Sequence, residues 1–222
     1  MRKDNPLLDI LFPPRCPFCG KIIYSGEQTC DVCSNIHPKV CVRPLFSTAH
    51  AAVTCYAAYP YQDQVRNAVL RMKFGDEPSI CTFFGHALAE MIREQLPKTC
   101  FDAVTAVPMS HLHQFQRGYN QSELLAKAAS GVLHVPYCRL LKKSRRNRTQ
   151  HRLPAAERFH NVQGVYQARK TFTGKQVLLI DDIITTGAAL TVCAKQLLQA
   201  GARSVTCAAA TFAVPEEVAD KD

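Results

Sequence analysis

A chain of 222 residues with 47% hydrophobic content and a formal net charge of +9 can bury one substantial core plus a small stapled module. No apolar run approaches the roughly 20 residues of a membrane span. The start, where Arg2 and Lys3 precede a run broken by Pro6, Asp9, Pro13 and Pro14, offers no export signal, so a soluble cytoplasmic protein is expected rather than a secreted disulfide scaffold.

Near the N-terminus, Cys16, Cys19, Cys30 and Cys33 form CPFCG and CDVCS, two C-x-x-C pairs with ten residues between them. Each pair can place two thiolates on one tetrahedral ion, and Gly20 supplies the tight turn of a knuckle. Two disulfides or a redox dithiol would use the same residues, but without an export signal a closed structural zinc site is the better reading. Cys41 begins what could be a third pair, yet Pro44 stands where its partner would be, so a second ribbon is incomplete. The other seven cysteines are scattered singly, as buried reduced side chains would be.

An alternating stretch near residues 50–59 reads as extended, and helices are expected at about 62–74 and 80–95. Lys73 closes the first of these, where it could reach a phosphate or simply carry a solvated C-terminal charge. FDAVTAVPMS is a buried strand ending in a turn, and the latter half of HLHQFQRGYNQSELLAKAAS is a helix with Leu124, Leu125 and Ala128 on one face. Between them, Arg117 is a candidate pyrophosphate ligand and Asn120 a candidate helix cap. Residues 139–152 then hold seven Lys or Arg and no acid. Such a block is usually a solvated loop, but it could close over a pyrophosphate or track a nucleic-acid backbone, because guanidinium groups pair with phosphate oxygens on either molecule.

The most informative segment is VLLIDDIITTGAAL. Residues 177–180 suit a central parallel strand, which would put Asp181 and Asp182 at its carboxyl end. Thr185, Thr186 and Gly187 turn the chain into a helix over 188–200, marked by Leu190, Ala194, Leu197 and Leu198 and stopped by Gly201. A helix N-terminus behind small residues presents unpaired N–H groups to a phosphate. Paired aspartates would repel that phosphate, and suit vicinal hydroxyls or a hydrated Mg²⁺. A ribose 5-phosphate carries both groups. Strand, loop and helix alternate to a last strand at 204–213, so the fold class expected is α/β, a twisted, mostly parallel sheet with helices on both faces and ligands at the strands' carboxyl ends.

The segment VLLIDDIITTGAAL resembles the phosphoribosyl pyrophosphate signature of type I phosphoribosyltransferases. The resemblance implies that Asp181 and Asp182 hold the ribose hydroxyls, that Thr185, Thr186, Gly187, Ala188 and Ala189 wrap the 5-phosphate, and that Val107, Pro108, Met109 and Ser110 form a pyrophosphate loop. Taken with LFPPRCPFCG, MKFGDEP, VPMSHLHQFQRGYNQSELLA and QHRLPAAERFHNVQGVY, which occur in family order over nearly the whole chain, it narrows to ComF-type competence proteins. That resemblance implies a zinc-ribbon module at about 1–45 and a phosphoribosyltransferase-like domain at 46–222. Arg158 and Asn161 match the family's R-x-x-N and would touch substrate or, by preference, pin the basic loop. The chain departs from the pattern where Ala189 replaces a threonine and where His111 and His113 replace arginines, which makes the charge of that loop pH-dependent.

Two function classes follow. As an enzyme, the protein would displace pyrophosphate from the donor's anomeric carbon with Mg²⁺ and the cationic loop stabilising the leaving group, and with ammonia, another amine or a base as acceptor. As a binding protein for DNA uptake, it would retain the phosphoribosyl site for sensing or structure. Arg145, Arg146 and Arg148 of the basic block, together with the ribbon, would then engage single-stranded DNA or a competence helicase. A salvage enzyme unrelated to DNA is the blander third option, with residues 53–96 as its base-binding hood.

Overall fold

The buried run at 177–180 becomes the centre of the molecule. In the computed structural model, which describes residues 13–49, 51–75, 77–144 and 164–214, it lies inside β6 (Gln176–Ile184). Around it are β1 (Cys41–Ser47), β2 (Ala52–Pro60), β3 (Ala103–Ala106) and β7 (Ser204–Phe212). They form one five-stranded sheet ordered β1-β2-β7-β6-β3, parallel except for the antiparallel edge pair β1 and β2. The sheet is covered on both sides, so the middles of its inner strands are largely apolar rather than alternating with polar residues. Along β6, Leu178 and Ile180 face one core while Val177 and Leu179 face the other. Ala208 and Ala210 against Cys207 and Ala209 repeat the division along β7.

The first core is closed by α1 (Asp63–Phe74), α2 (Ser79–Gln95) and α4 (Gln121–Leu133). Helices α2 and α4 approach closely at Gly85, where an added Cβ would stand 2.5 Å from Ala128 Cβ and 2.7 Å from Leu125 O. The four-cysteine segment packs onto the same side. Cys16, Phe18, Ile23 and Cys33 share this core, and the Phe18 ring meets Phe83, Tyr59 and Phe84 edge-on at centroid distances of 5.2, 6.0 and 6.2 Å. The second core is closed by α5 (Ala188–Gln199) and by the antiparallel pair β4 (Leu141–Lys143) and β5 (Tyr166–Ala168).

Expected and observed elements agree closely for α1, α2, α4, α5, β2 and β7. β6 differs. It runs four residues past Ile180, so Asp181 and Asp182 lie within the strand rather than at its carboxyl end; β7 continues alongside, with Asp181 opposite Ala209 and Ile184 opposite Phe212. β1 is also new, an edge strand with a register shift between Pro44 and Phe46, which is where a sheet tolerates proline. A short helix α3 (His111–Arg117) leaves Leu112 and Phe115 exposed, so no apolar face announced it in the sequence. Among the described residues, no helix is long and apolar enough to cross a membrane.

Candidate functional site

The glycine turn after β6 forms as its residue types dictate. Gly187 has φ +78°, a left-handed conformation open to glycine, and an added Cβ would stand 2.8 Å from Leu45 Cδ2. Helix α5 starts immediately after it, and the Ala188 N–H donates to Thr186 Oγ1 at 3.4 Å. Thr185 and Thr186 are exposed, and Ala188 and Ala189 open the helix. Arg43 of β1 donates to the Thr185 carbonyl, so the edge strand braces the loop from outside. A cavity of about 180 Å³ is lined by Tyr166, Asp181, Ile183 and Ile184 together with residues 185–190.

The two aspartates stand in different surroundings. Asp181 Oδ1 accepts from Ser122 Oγ at 2.8 Å and from the Asp182 N–H at 3.0 Å. Burial, and then the charge of Asp182, push its carboxyl up to about 7, against the opposing effects of Ser122, the Asp182 amide and Lys73. Asp182 Oδ2 pairs with Lys73 Nζ at 2.7 Å, with both side chains largely buried at 14% and 16% exposure. Lys73 is therefore not a solvated C-terminal charge but the counter-ion of the second acid. Thr211 Oγ1 donates to the Asp182 carbonyl at 3.1 Å, fixing the strand from the β7 side.

The segment of Val107, Pro108, Met109 and Ser110 follows β3 and lies beside the acids, because the Val107 N–H donates to the Ile180 carbonyl at 2.9 Å. Val107 is buried and the other three are partly exposed. Asn120 occupies the N-cap position of α4 without capping it. Its side chain is buried and donates to the Val107 carbonyl at 3.3 Å, so it ties the loop to the helix. Arg117 ends α3 with its guanidinium 5.0 Å over the Phe74 ring and 3.4 Å from Gln121 Oε1. The structure thus gathers Lys73, Arg117, the loop from Val107, the acids and the glycine turn around the ends of β3 and β6. Arg145, Arg146, Arg148, Arg158 and Asn161 lie outside the described residues.

Sequence reasoning missed Ser122, Arg43 and Tyr166 as parts of this site. It counted Lys143 only as one charge in the basic block. Lys143 Nζ lies 5.6 Å over the Tyr166 ring, and burial lowers its pKa. Its membership of a cationic run leading toward a phosphate site was the one available signal.

On the other side of α1, the Sγ atoms of Cys16, Cys19, Cys30 and Cys33 all lie within 4.8 Å of one another, and none of these cysteines is in a disulfide. Tetrahedral zinc with bonds of about 2.3 Å needs sulfurs about 3.8 Å apart, so the set fits the ion. Two turns shape it: the Cys16 N–H donates to the Lys21 carbonyl at 2.8 Å, and the Cys33 N–H to the Cys30 carbonyl at 2.9 Å. Cys41 sits in β1, so the position of a second ribbon is occupied by the main sheet.

A family model for the phosphoribosyl transferase domain matches residues 120–222, and one for a double zinc ribbon domain matches 7–56. Competence protein F of Haemophilus influenzae is 32% identical over 196 residues, covering 86% of this chain and 82% of that protein. The chain belongs to the ComF family. A second relative of this ComF protein, the DNA utilization protein YhgH of Escherichia coli, is 32% identical over 112 residues, covering 50% of this chain and 48% of that one. Among solved structures, the glutamine phosphoribosylpyrophosphate amidotransferase of B. subtilis overlays with a TM-score of 0.43 at 21% identity, over 63% of this chain and 30% of that one. The sheet topology, the two family matches and the four-cysteine cluster make the ComF chain an α/β protein with a phosphoribosyltransferase-like sheet and a four-cysteine zinc ribbon.

Proposed function

We propose that this ComF protein binds phosphoribosyl pyrophosphate with Mg²⁺ in the turn that follows β6, and that it does so in the cytoplasm in the service of DNA uptake or DNA use. One observation carries the reading: Asp181 and a helix-opening glycine turn line the same cavity of about 180 Å³, with Asp182 the next residue of the same strand. An acceptor of hydroxyl protons beside a donor to phosphate is the complement of a ribose 5-phosphate. In this reading Asp181 and Asp182 orient the ribose hydroxyls, residues 185–189 hold the 5-phosphate through backbone N–H groups, and the loop from Val107 to Ser110 receives the pyrophosphate with Arg117 and Arg158 near it. Lys73 holds Asp182 in place through its 2.7 Å ion pair. Mg²⁺ would meet hard oxygen donors in the two aspartates, and when bound it supplies positive charge to the diphosphate. Loss of the threonine hydroxyl at Ala189 leaves the backbone N–H in place, so affinity is reduced rather than lost.

The reading extends to phosphoribosyl transfer onto an acceptor amine or base. We divide the chain into a zinc-ribbon module to about residue 45 and the phosphoribosyltransferase-like domain from 46 onward. The names competence protein F and DNA utilization protein, borne by the relatives, support the cellular role. The test is a thermal-shift series. Phosphoribosyl pyrophosphate with Mg²⁺ raises the melting temperature, whereas Mg²⁺ alone does not; no shift with the complete ligand refutes the reading.

A second reading has Arg145, Arg146 and Arg148 contacting single-stranded DNA, with or without a helicase partner, while the phosphoribosyl site is vestigial. It is favoured by the seven cations and no acids at 139–152. Salt-sensitive binding of an oligonucleotide that disappears when all three arginines become glutamate supports it, and salt-insensitive binding rejects it.

A further inference from the structure

The last turn of α1 is held from four directions by four consecutive residues. Arg71 reaches the ribbon: its Nη1 donates to the Phe18 carbonyl at 3.1 Å, and its Nη2 to the Pro17 and Cys16 carbonyls at 2.7 and 3.4 Å. These carbonyls belong to the stretch that joins the first cysteine pair, Cys16 and Cys19. Its Nε also pairs with Glu77 at 3.0 Å, closing the chain that leaves the helix. The Met72 carbonyl, one of those a helix leaves open at its C-terminus, accepts from Tyr119 Oη at 2.7 Å and from Gln121 Nε2 at 3.4 Å. Lys73 pairs with Asp182 at 2.7 Å, and Phe74 lies under Arg117.

Helix geometry explains the division. Residues 71 and 73 are separated by roughly 200° around the axis, so their side chains reach opposite sides. One holds the cysteine knuckle and the other the acidic strand. The knuckle carbonyls keep their placement only while four thiolates converge on one ion, because a small ribbon of this kind derives its folding energy from its metal. Gly20, with φ +77°, lets the knuckle pass close by: an added Cβ would stand 3.3 Å from Arg71 Nη1.

We propose that Arg71 is a positioning residue through which the metal-loaded ribbon fixes the end of α1, and with it Lys73, against Asp182, so that the affinity of the site at the end of β6 depends on the metal in the ribbon. The ligand part rests on the phosphoribosyl pyrophosphate reading; the coupling between ribbon and α1 does not. With Arg71 released, the last turn of α1 keeps its links to Tyr119 and Gln121 but loses the support on the ribbon side, and Lys73 is no longer held at the distance that neutralises Asp182.

The experiment compares full-length wild type loaded with zinc, the same protein stripped by a chelator under reducing conditions, and zinc-loaded Arg71→Met and Arg71→Lys. Hydrogen exchange over residues 72–75 and 117–121 is measured beside zinc content and calorimetry with phosphoribosyl pyrophosphate and Mg²⁺. Stripping zinc should speed exchange in both segments while β7 stays protected, and should weaken the ligand roughly tenfold. Arg71→Met should retain zinc yet reproduce both effects, with Arg71→Lys between it and wild type because an ammonium cannot span three carbonyls. Unchanged exchange at 72–75 after zinc removal overturns the coupling, as does a zinc-bound Arg71→Met protein with wild-type exchange and affinity. If that variant fails to fold, the chelated wild type still decides. If wild type binds no ligand, the phosphoribosyl reading fails while exchange alone upholds or overturns the coupling.

Discussion

Asp181→Asn should make the protein more stable while removing its ligand. Asparagine retains an oxygen to accept from Ser122 Oγ, at 2.8 Å in the wild type, and from the Asp182 N–H at 3.0 Å, so the local frame survives and only the charge is lost. The carboxyl is pushed from 3.8 up to about 7, first by burial and then by Asp182. At about 1.4 kcal/mol per unit, ionising it in the folded protein opposes stability by roughly 4 kcal/mol at most. The sign follows from linkage. The folded protein holds this proton more tightly than the unfolded chain, so stability is intact below about pH 4, falls as the pH rises toward 7, and stays reduced above that. The substitution should therefore leave stability unchanged near pH 4 and raise it by about 2–4 kcal/mol at pH 8. For a chain of this size, that raises the melting temperature by roughly 5 to 10 °C. Calorimetric melting of both proteins at several pH values measures the difference. A variant less stable than wild type at pH 8, or a gain that does not change with pH, would refute the account of the acid's surroundings.

Ser122→Ala removes a donor that favours the ionised carboxylate and should destabilise that form by about 1–2 kcal/mol, moving the Asp181 titration to higher pH; carbon-13 NMR of the carboxyl groups reads the direction. Gly187→Ala places a side chain at φ +78° beside Leu45 and should lower stability by about 1–3 kcal/mol in urea titrations, together with phosphate affinity. Gly85→Ala drives a methyl to 2.5 Å from Ala128 Cβ and should lower stability by about 1–3 kcal/mol in the same titrations, with partial recovery on adding Ala128→Gly.

The parts legible in the sequence were those whose chemistry is contiguous. The acids, the threonines and Gly187 occupy one short run that follows four buried apolar residues, and the zinc cysteines come as two local pairs. The supporting residues act across the chain and left no local pattern: Ser122 reaches Asp181 over 59 residues, Arg43 reaches Thr185 over 142, and Arg71 reaches the knuckle over 53 to 55. Asn120 looked like a cap because of its residue type and place, but burial turned its amide toward the Val107 carbonyl. The extension of β6 beyond Ile180 depended on a parallel partner, β7, that periodicity within one strand cannot reveal. Lys73 was ambiguous because a lysine at a helix end has the same local pattern whether it meets water or an acid. Only the sheet, by bringing Asp182 to it, decided.

The central claim is that the two aspartates of β6 and the glycine turn after it bind phosphoribosyl pyrophosphate, and the most direct test is calorimetric titration of that ligand with Mg²⁺ into wild type and into Asp181→Asn/Asp182→Asn. Saturable binding by wild type that the double substitution abolishes, with the variant still folded, is the predicted result. No heat of binding with folded wild type, or equal binding by both proteins, would contradict it.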